Sequence, residues 1–252
     1  MVKSYRELVD KRFGADVEVT RLSRTPFFYA YNTPELLRRD SPWFADTTHR
    51  QTYLYQSWCK SDNHSKRMLV CVTATIPTLN MPLVMFHAYA HQFFDSITYL
   101  FDPQKDGYQT SNAQISDSVG RLVEQLKPQT LGFLGVSSGA AMAIRLGQQH
   151  PGSRTVASSP VLKDDEDVAT YLTTTPQDEL GQKLAILYAN NATDLPYRAL
   201  FESLNQANNT IAHNLSDISP SHATLATTTV NGLFTQLMSW LNHSSANAMS
   251  TA

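Results

Sequence analysis

The chain has 252 residues, 42% of them hydrophobic and 17% charged, with a formal net charge of −2. That is long and apolar enough to bury a full core in one domain, and the near-neutral balance excludes a basic stripe for nucleic acid or an anionic membrane. Adjacent pairs such as Arg38-Arg39 and Lys66-Arg67 are too short to make one. No apolar run approaches the roughly 20 residues of a membrane span, and Met1 to Glu7 lack the apolar core of a signal peptide. The expectation is a single cytoplasmic domain over 1–252. The two cysteines, Cys59 and Cys71, leave a disulfide and free thiols both open.

Taken in chain order, residues 1–65 form a strand-rich section. Val17–Leu22, Phe27–Tyr31 and Gln51–Gln56 carry aromatic and β-branched residues near period two. Pro34–Arg39 reads as a helical turn capped by Thr33. Tyr29, Tyr31, Trp43 and Tyr53 supply aromatic surface for a core or a sugar site.

From Met68 the rhythm becomes strand, helix, strand. Met68–Thr73 is a continuous apolar run suited to a strand buried on both faces. A helix is predicted over Met81–Phe94, a strand over Ser96–Phe101, and an amphipathic helix over Ser111–Leu126 with Ile115, Val119, Leu122, Val123 and Leu126 on one face. Thr130–Leu134, Arg154–Pro160, Leu184–Ala189 and Thr210–Leu215 read as further strands. Ala140–Leu146, Pro196–Ala207 and Ala223–Leu241 read as helices. The fold class is α/β, a mainly parallel central sheet with helices on both faces and antiparallel N-terminal strands. Ligands of such sheets sit beyond the carboxyl ends of the strands.

Gly135-Val136-Ser137-Ser138-Gly139 lies at one such end, between a buried strand and a helix. In that context G-x-S-x-G is a nucleophile elbow, with glycines relieving the crowding around a strained serine. A serine hydroxyl needs a base oriented by an acid. Asp194 follows the strand ending at Ala189, and His222 lies between the last strand and the closing helix. Serine, acid, histidine is the order of the elbow-type enzymes. The competing use of Asp194 is to cap the helix near Pro196, and that of His222 is a solvated helix start. His213 sits within a strand pattern, and Asp164, Asp165 and Asp167 stand in reserve as the acid, with a solvated helix start as their other reading.

An oxyanion requires backbone donors. Ser138, the residue after the nucleophile, offers one N–H, and Ala74 or Thr75 in the loop after an early strand offers the second; Pro77 has none to give. His87 and His91 have metal-ligand spacing, but no third ligand is near and the flanking Phe86, Tyr89, Phe93 and Phe94 read as an aromatic wall. No metal site is expected, and no nucleotide loop is present.

Ser137, Asp194 and His222, with this order of strands and helices, resemble the α/β-hydrolase superfamily over about residues 66–243. The Leu134–Gly139 elbow and the compact tail from Asp194 to His222 look most like the bacterial capsule-polysaccharide O-acetyltransferases of that fold. The resemblance implies a catalytic core over 66–243, no tightly bound cofactor, acetyl-CoA as acyl donor and a polysaccharide as acceptor. Hydrolysis of the acyl-enzyme by water gives an esterase. A catalytically silent binding protein on the same fold is the alternative of a different class.

Overall fold

The computed structural model describes residues 47–51, 55–60, 66–75, 78–81, 83–102, 104–162, 165–205, 211–230 and 232–243. The strands expected at Val17–Leu22 and Phe27–Tyr31, the turn at Pro34–Arg39 and the aromatics Tyr29, Tyr31, Trp43 and Tyr53 lie outside them.

The strands are β1 (Thr47–Gln51), β2 (Tyr55–Lys60), β3 (Arg67–Val72), β4 (Ser96–Leu100), β5 (Thr130–Val136), β6 (Arg154–Ser158), β7 (Leu184–Tyr188) and β8 (Ala212–Asn214). Among the described residues they form one eight-stranded sheet in the order β1-β2-β4-β3-β5-β6-β7-β8. β2 runs antiparallel to both neighbours, and β3 to β8 are parallel. The strand expected over Gln51–Gln56 is cut: Gln51 closes β1, Tyr55 opens β2, and Gln51 faces Gln56 across the pair. Period-two patterning continues through such a reversal, so alternation alone does not mark it.

Helices α1 (Leu83–Ala90), α2 (Asn112–Leu126), α3 (Ser138–Gln149), α4 (Glu166–Thr174), α5 (Gln177–Lys183), α6 (Arg198–Ser203), α7 (Thr224–Thr227) and α8 (Leu233–Leu241) connect or follow the strands. Both sheet faces are covered. On β3, Leu69 and Cys71 pack with Phe86 of α1 and with Phe234, Leu237 and Met238 of α8. The alternate residues Met68, Val70 and Val72 pack with Ile115, Val119 and Leu122 of α2 and with Met142 and Leu146 of α3. Further along, Ala157 and Ile186 carry α4 to α6 through Val168, Leu180 and Phe201. A strand buried on both faces needs a continuous apolar run, which β3 has from Met68 to Val72 after the partly exposed Arg67. Cys71 is a buried free thiol and not half of a disulfide.

The helix expected over Ala223–Leu241 is two helices. Thr227, Thr228 and Thr229 turn their hydroxyls back to the carbonyls of Ala223, Leu225 and Ala226, and Gly232, at φ 79°, begins α8. Clustered threonines compete with the helix for its own carbonyls and lose rotamer freedom in it. Among the described residues no helix is long and apolar enough to cross a membrane.

From the central β3 the chain goes outward to β4, returns to β5 on the other side of β3, and continues to β8. The reversal lies between β3 and β5. A crevice opens beyond the carboxyl ends of the strands at such a point.

Candidate active site

Ser137 follows β5 directly and opens α3 with φ 55° and ψ −124°. A side chain held at positive φ persists only where its surroundings over-determine it. Here the Ser137 N–H donates to Ser158 O at 2.9 Å, and its carbonyl accepts from Ala140 and Val161 N–H at 3.0 and 3.2 Å. The flanking glycines are required by packing. A Cβ on Gly135 would run into Gly139 O and Ala143, and one on Gly139 would run into the Val72 and Thr73 carbonyls. These contacts press α3 against β5 and β3 and leave the serine at the corner.

His222 Nε2 lies 3.1 Å from Ser137 Oγ, and His222 Nδ1 lies 2.8 Å from Asp194 Oδ1. Ser137 directly follows β5, and Asp194 and His222 lie in the segments that follow β7 and β8. Asp194 begins the 3-10 turn Leu195–Tyr197, yet its side chain makes no capping bond there. It turns inward instead, where Oδ2 accepts from the Ala189 N–H and from Ser159 Oγ, both at 2.9 Å. Burial pushes the Asp194 carboxyl up, but the bonds from His222, Ala189, Ser159 and Asn191 outweigh it and hold the group below the ordinary carboxylate range.

On the oxyanion side the two residues expected as second donor separate. The Ala74 N–H donates to Thr78 O at 3.0 Å and is committed to that turn. The Thr75 N–H points at the elbow, donating to Ser138 Oγ at 3.0 Å, with the Thr75 and Ser138 hydroxyls 2.9 Å apart. The Ala74 amide is thus held by a backbone carbonyl within its own loop, and the Thr75 amide by a side-chain hydroxyl of the elbow. Ser138 is the first residue of α3, so its own N–H is one of the first-turn amides without an intrahelical acceptor.

The rival residues lie elsewhere. His213 is on β8 and outside the hydrogen-bonded chain of Ser137, His222 and Asp194. Asp165 caps α4 by accepting from the Val168 N–H, and with Asp167 it pairs with Arg145; Asp164 lies outside the described residues. His87 is buried with Nδ1 on the Tyr99 hydroxyl at 3.0 Å. No group of three or more His, Cys, Asp or Glu that could hold a metal ion occurs among the described residues.

Beside the elbow is a cavity of about 550 Å³ lined by Thr75, Ser138, Met142 and Val161 and, among its polar groups, by Lys105, Gln109, Asn112 and Arg145. The loop after β4 that carries Lys105 is built on Asp102, whose carboxylate accepts the N–H groups of Gln104, Lys105, Gly107 and Tyr108. The Tyr108 hydroxyl ties this loop to Thr73 O at 2.7 Å. Sequence reading missed these contributors, as it missed Ser159 behind Asp194. Their only trace is position, since Asp102 and Ser159 each sit just past a strand end.

No protein-family model and no curated protein sequence matches the chain. Solved structures do. The Pyrococcus furiosus esterase Pf2001 superposes with a TM-score of 0.55 at 14% identity, over 80% of this chain and 92% of that one. The esterase domain of a Rhodothermus marinus protein gives 0.53 at 10% identity, over 79% and 98%. Carboxylesterase CesB of Bacillus subtilis gives 0.50 at 12% identity, over 77% and 90%. The likeness is one of fold: with its β1-β2-β4-β3-β5-β6-β7-β8 sheet, β2 reversed, and helices on both faces, the chain has the α/β-hydrolase fold.

Proposed function

We propose that the chain is a serine-dependent carboxylic-ester hydrolase that works through an acyl-enzyme, with Ser137 as nucleophile, His222 as base and Asp194 as the acid that orients it. The observation that carries this reading is the unbroken run of hydrogen bonds from Ser137 Oγ through His222 to a buried Asp194 at the strand ends. Esterases among the structures of the same fold are consistent with it.

In this mechanism His222 Nε2 takes the Ser137 proton as Oγ bonds to the ester carbonyl carbon. The developing oxyanion draws on the Ser138 N–H and on the Thr75 N–H, which gives up its bond to the Ser138 hydroxyl as that side chain rotates away. Collapse breaks the bond to the alcohol, which leaves with the proton held by His222. Water then adds to the acyl-enzyme with His222 again as base, and Ser137 regains its proton when the acid departs. Asp194 keeps the Nδ1 proton in place throughout and stays ionised. No cofactor enters any step.

A second reading is O-acetyl transfer, in which a sugar hydroxyl replaces water and acetyl-CoA supplies the acyl group. The polar lining of the cavity beside Ser138 favours it, since Lys105, Gln109, Asn112 and Arg145 suit a hydroxylated acceptor.

The test is p-nitrophenyl acetate. A burst of nitrophenol, acyl mass on Ser137, and a loss of turnover on the order of 10⁵-fold or more in Ser137→Ala support the enzyme. Absence of any adduct with activated esters or acyl-CoA leaves the silent binding fold. Release of CoA from acetyl-CoA only when a polysaccharide is added moves the assignment to the transferase.

A further inference from the structure

Behind the carboxylate lies a second set of hydrogen bonds. Ser159 Oγ donates to Asp194 Oδ2 at 2.9 Å, Ser159 Oγ and Thr224 Oγ1 are 2.9 Å apart, and Thr224 Oγ1 and Ser158 Oγ are 2.6 Å apart. All three hydroxyl residues are 0% exposed. Each hydroxyl has a single proton, and an ionised carboxylate only accepts. Ser159 therefore gives its proton to Asp194 and must accept from Thr224. Thr224, its proton given to Ser159, must accept from Ser158. Only one arrangement satisfies all three bonds, and every donor in it points toward Asp194.

We propose that Ser158, Thr224 and Ser159 form a one-way chain of buried hydroxyls that positions Asp194 and, through it, the base His222. This deepens the function proposed above and rests on it. The three are positioning residues, since none touches the reacting atoms. Their placement gives the chain two roles. It supplies the buried carboxylate with a polarised donor on the face away from the imidazole, each hydroxyl strengthening the next. It also joins three segments, because Ser158 ends β6 with Ser159 next to it, Thr224 lies two residues after His222 and begins α7, and Asp194 belongs to the loop after β7. The loop carrying the base is thereby anchored to the strand end that receives the Ser137 N–H. The groups acting on Asp194 are His222, the Ala189 amide, Ser159 and Asn191. Of these only the imidazole passes a proton in the proposed reaction, so a change in the hydroxyl chain reads out on the Asp194–His222 pair.

The experiment compares Ser159→Ala, Thr224→Val and Thr224→Ser with the parent chain in p-nitrophenyl acetate hydrolysis across pH. Thr224→Val keeps the volume and removes the hydroxyl, and Thr224→Ser restores it. Ser159→Ala lowers kcat about 10-fold with KM within about twofold, the scale of one charge-assisted hydrogen bond. Losing a donor makes the carboxylate more basic, so the acid limb of kcat/KM moves to higher pH by about half a unit or more. Thr224→Val shows the same changes at smaller size, and Thr224→Ser returns toward the parent. The low-field proton NMR signal of the His222 Nδ1–H moves in the same variants and reads the chain without turnover. Unfolding measured alongside separates stability from positioning.

Unchanged kcat, acid limb and low-field signal in Ser159→Ala overturn the proposal. So does a Thr224→Ser variant no better than Thr224→Val, or effects confined to stability. Ser137→Ala tests the proposed function separately: full turnover there ends the nucleophile assignment, while the Nδ1–H signal in Ser159→Ala still decides the hydroxyl chain.

Discussion

Asp194 holds His222 Nδ1 at 2.8 Å from a side chain only 1% exposed, while the imidazole it supports is 29% exposed. In the proposed reaction the buried partner fixes the geometry and the exposed partner meets the substrate. Burial alone would favour a neutral carboxylic acid, and it is the surrounding donors that keep the group charged.

Asp194→Asn removes that charge and presents an amide that can stabilise the wrong imidazole tautomer. kcat for ester hydrolysis is expected to fall on the order of 10⁴-fold with KM little changed. The folded-state pKa of Asp194 is depressed, so its contribution to stability is full above the ordinary carboxylate range and is lost as pH falls through the lower folded value. Thermal unfolding from pH 6 to pH 3 therefore declines less steeply in the variant than in the parent.

His87 gives a second pH dependence, away from the site. Burial, with repulsion from His91, lowers it to about 3, and it shares a hydrogen bond with the Tyr99 hydroxyl. Between its ordinary value and that lowered one, the unfolded chain binds a proton that the native state refuses. Stability contributed by the neutral ring is therefore present above about pH 6.5 and falls with acidification by at most about 1.4 kcal/mol per pH unit. His87→Gln keeps a partner for Tyr99 and cannot charge, so urea midpoints at pH 7 and pH 4 lie closer together in that variant.

Gly139→Ala drives a methyl into the Val72 and Thr73 carbonyls, which are backbone of the central strand and its exit. A loss of roughly 3 kcal/mol or more is expected, read as a lower urea midpoint. At Gly120 in α2, by contrast, an added methyl meets nothing within 4 Å. Gly120→Ala should gain about 0.5–1 kcal/mol through helix propensity alone.

Val161 lines the cavity beside Ser138, and its N–H holds the Ser137 carbonyl through backbone only. Val161→Phe narrows the cavity without touching that bond. On the esterase reading this cavity takes the acyl chain, so KM for long-chain nitrophenyl esters should rise about 10-fold while acetate turnover stays near the parent value. Equal effects on both esters would place the acyl group elsewhere.

Much of this arrangement is legible along the chain. The elbow is local: strand, small residues, serine and helix follow one another within a few positions, and Gly135 and Gly139 mark the close approach of α3. The order of Ser137, Asp194 and His222 in loops after strands is also readable, because a βα repeat places every such loop at the same sheet edge. The split of Gln51–Gln56 into two strands and of the last helix at Thr227–Gly232 is not readable from period, since alternation and amphipathicity survive a turn.

Sequence by itself determined the α/β alternation, the serine corner and the few residues able to accompany it, because backbone preference and hydrophobic period act over neighbouring positions. Only the tertiary structure decided that Asp194 turns inward rather than capping its own turn, that Ala74 gives its amide to Thr78 while Thr75 faces the elbow, and that Ser159 and Thr224 meet behind the carboxylate. Those choices depend on which of several chemically equal partners lies within hydrogen-bond reach, and packing between segments far apart in the chain sets that reach.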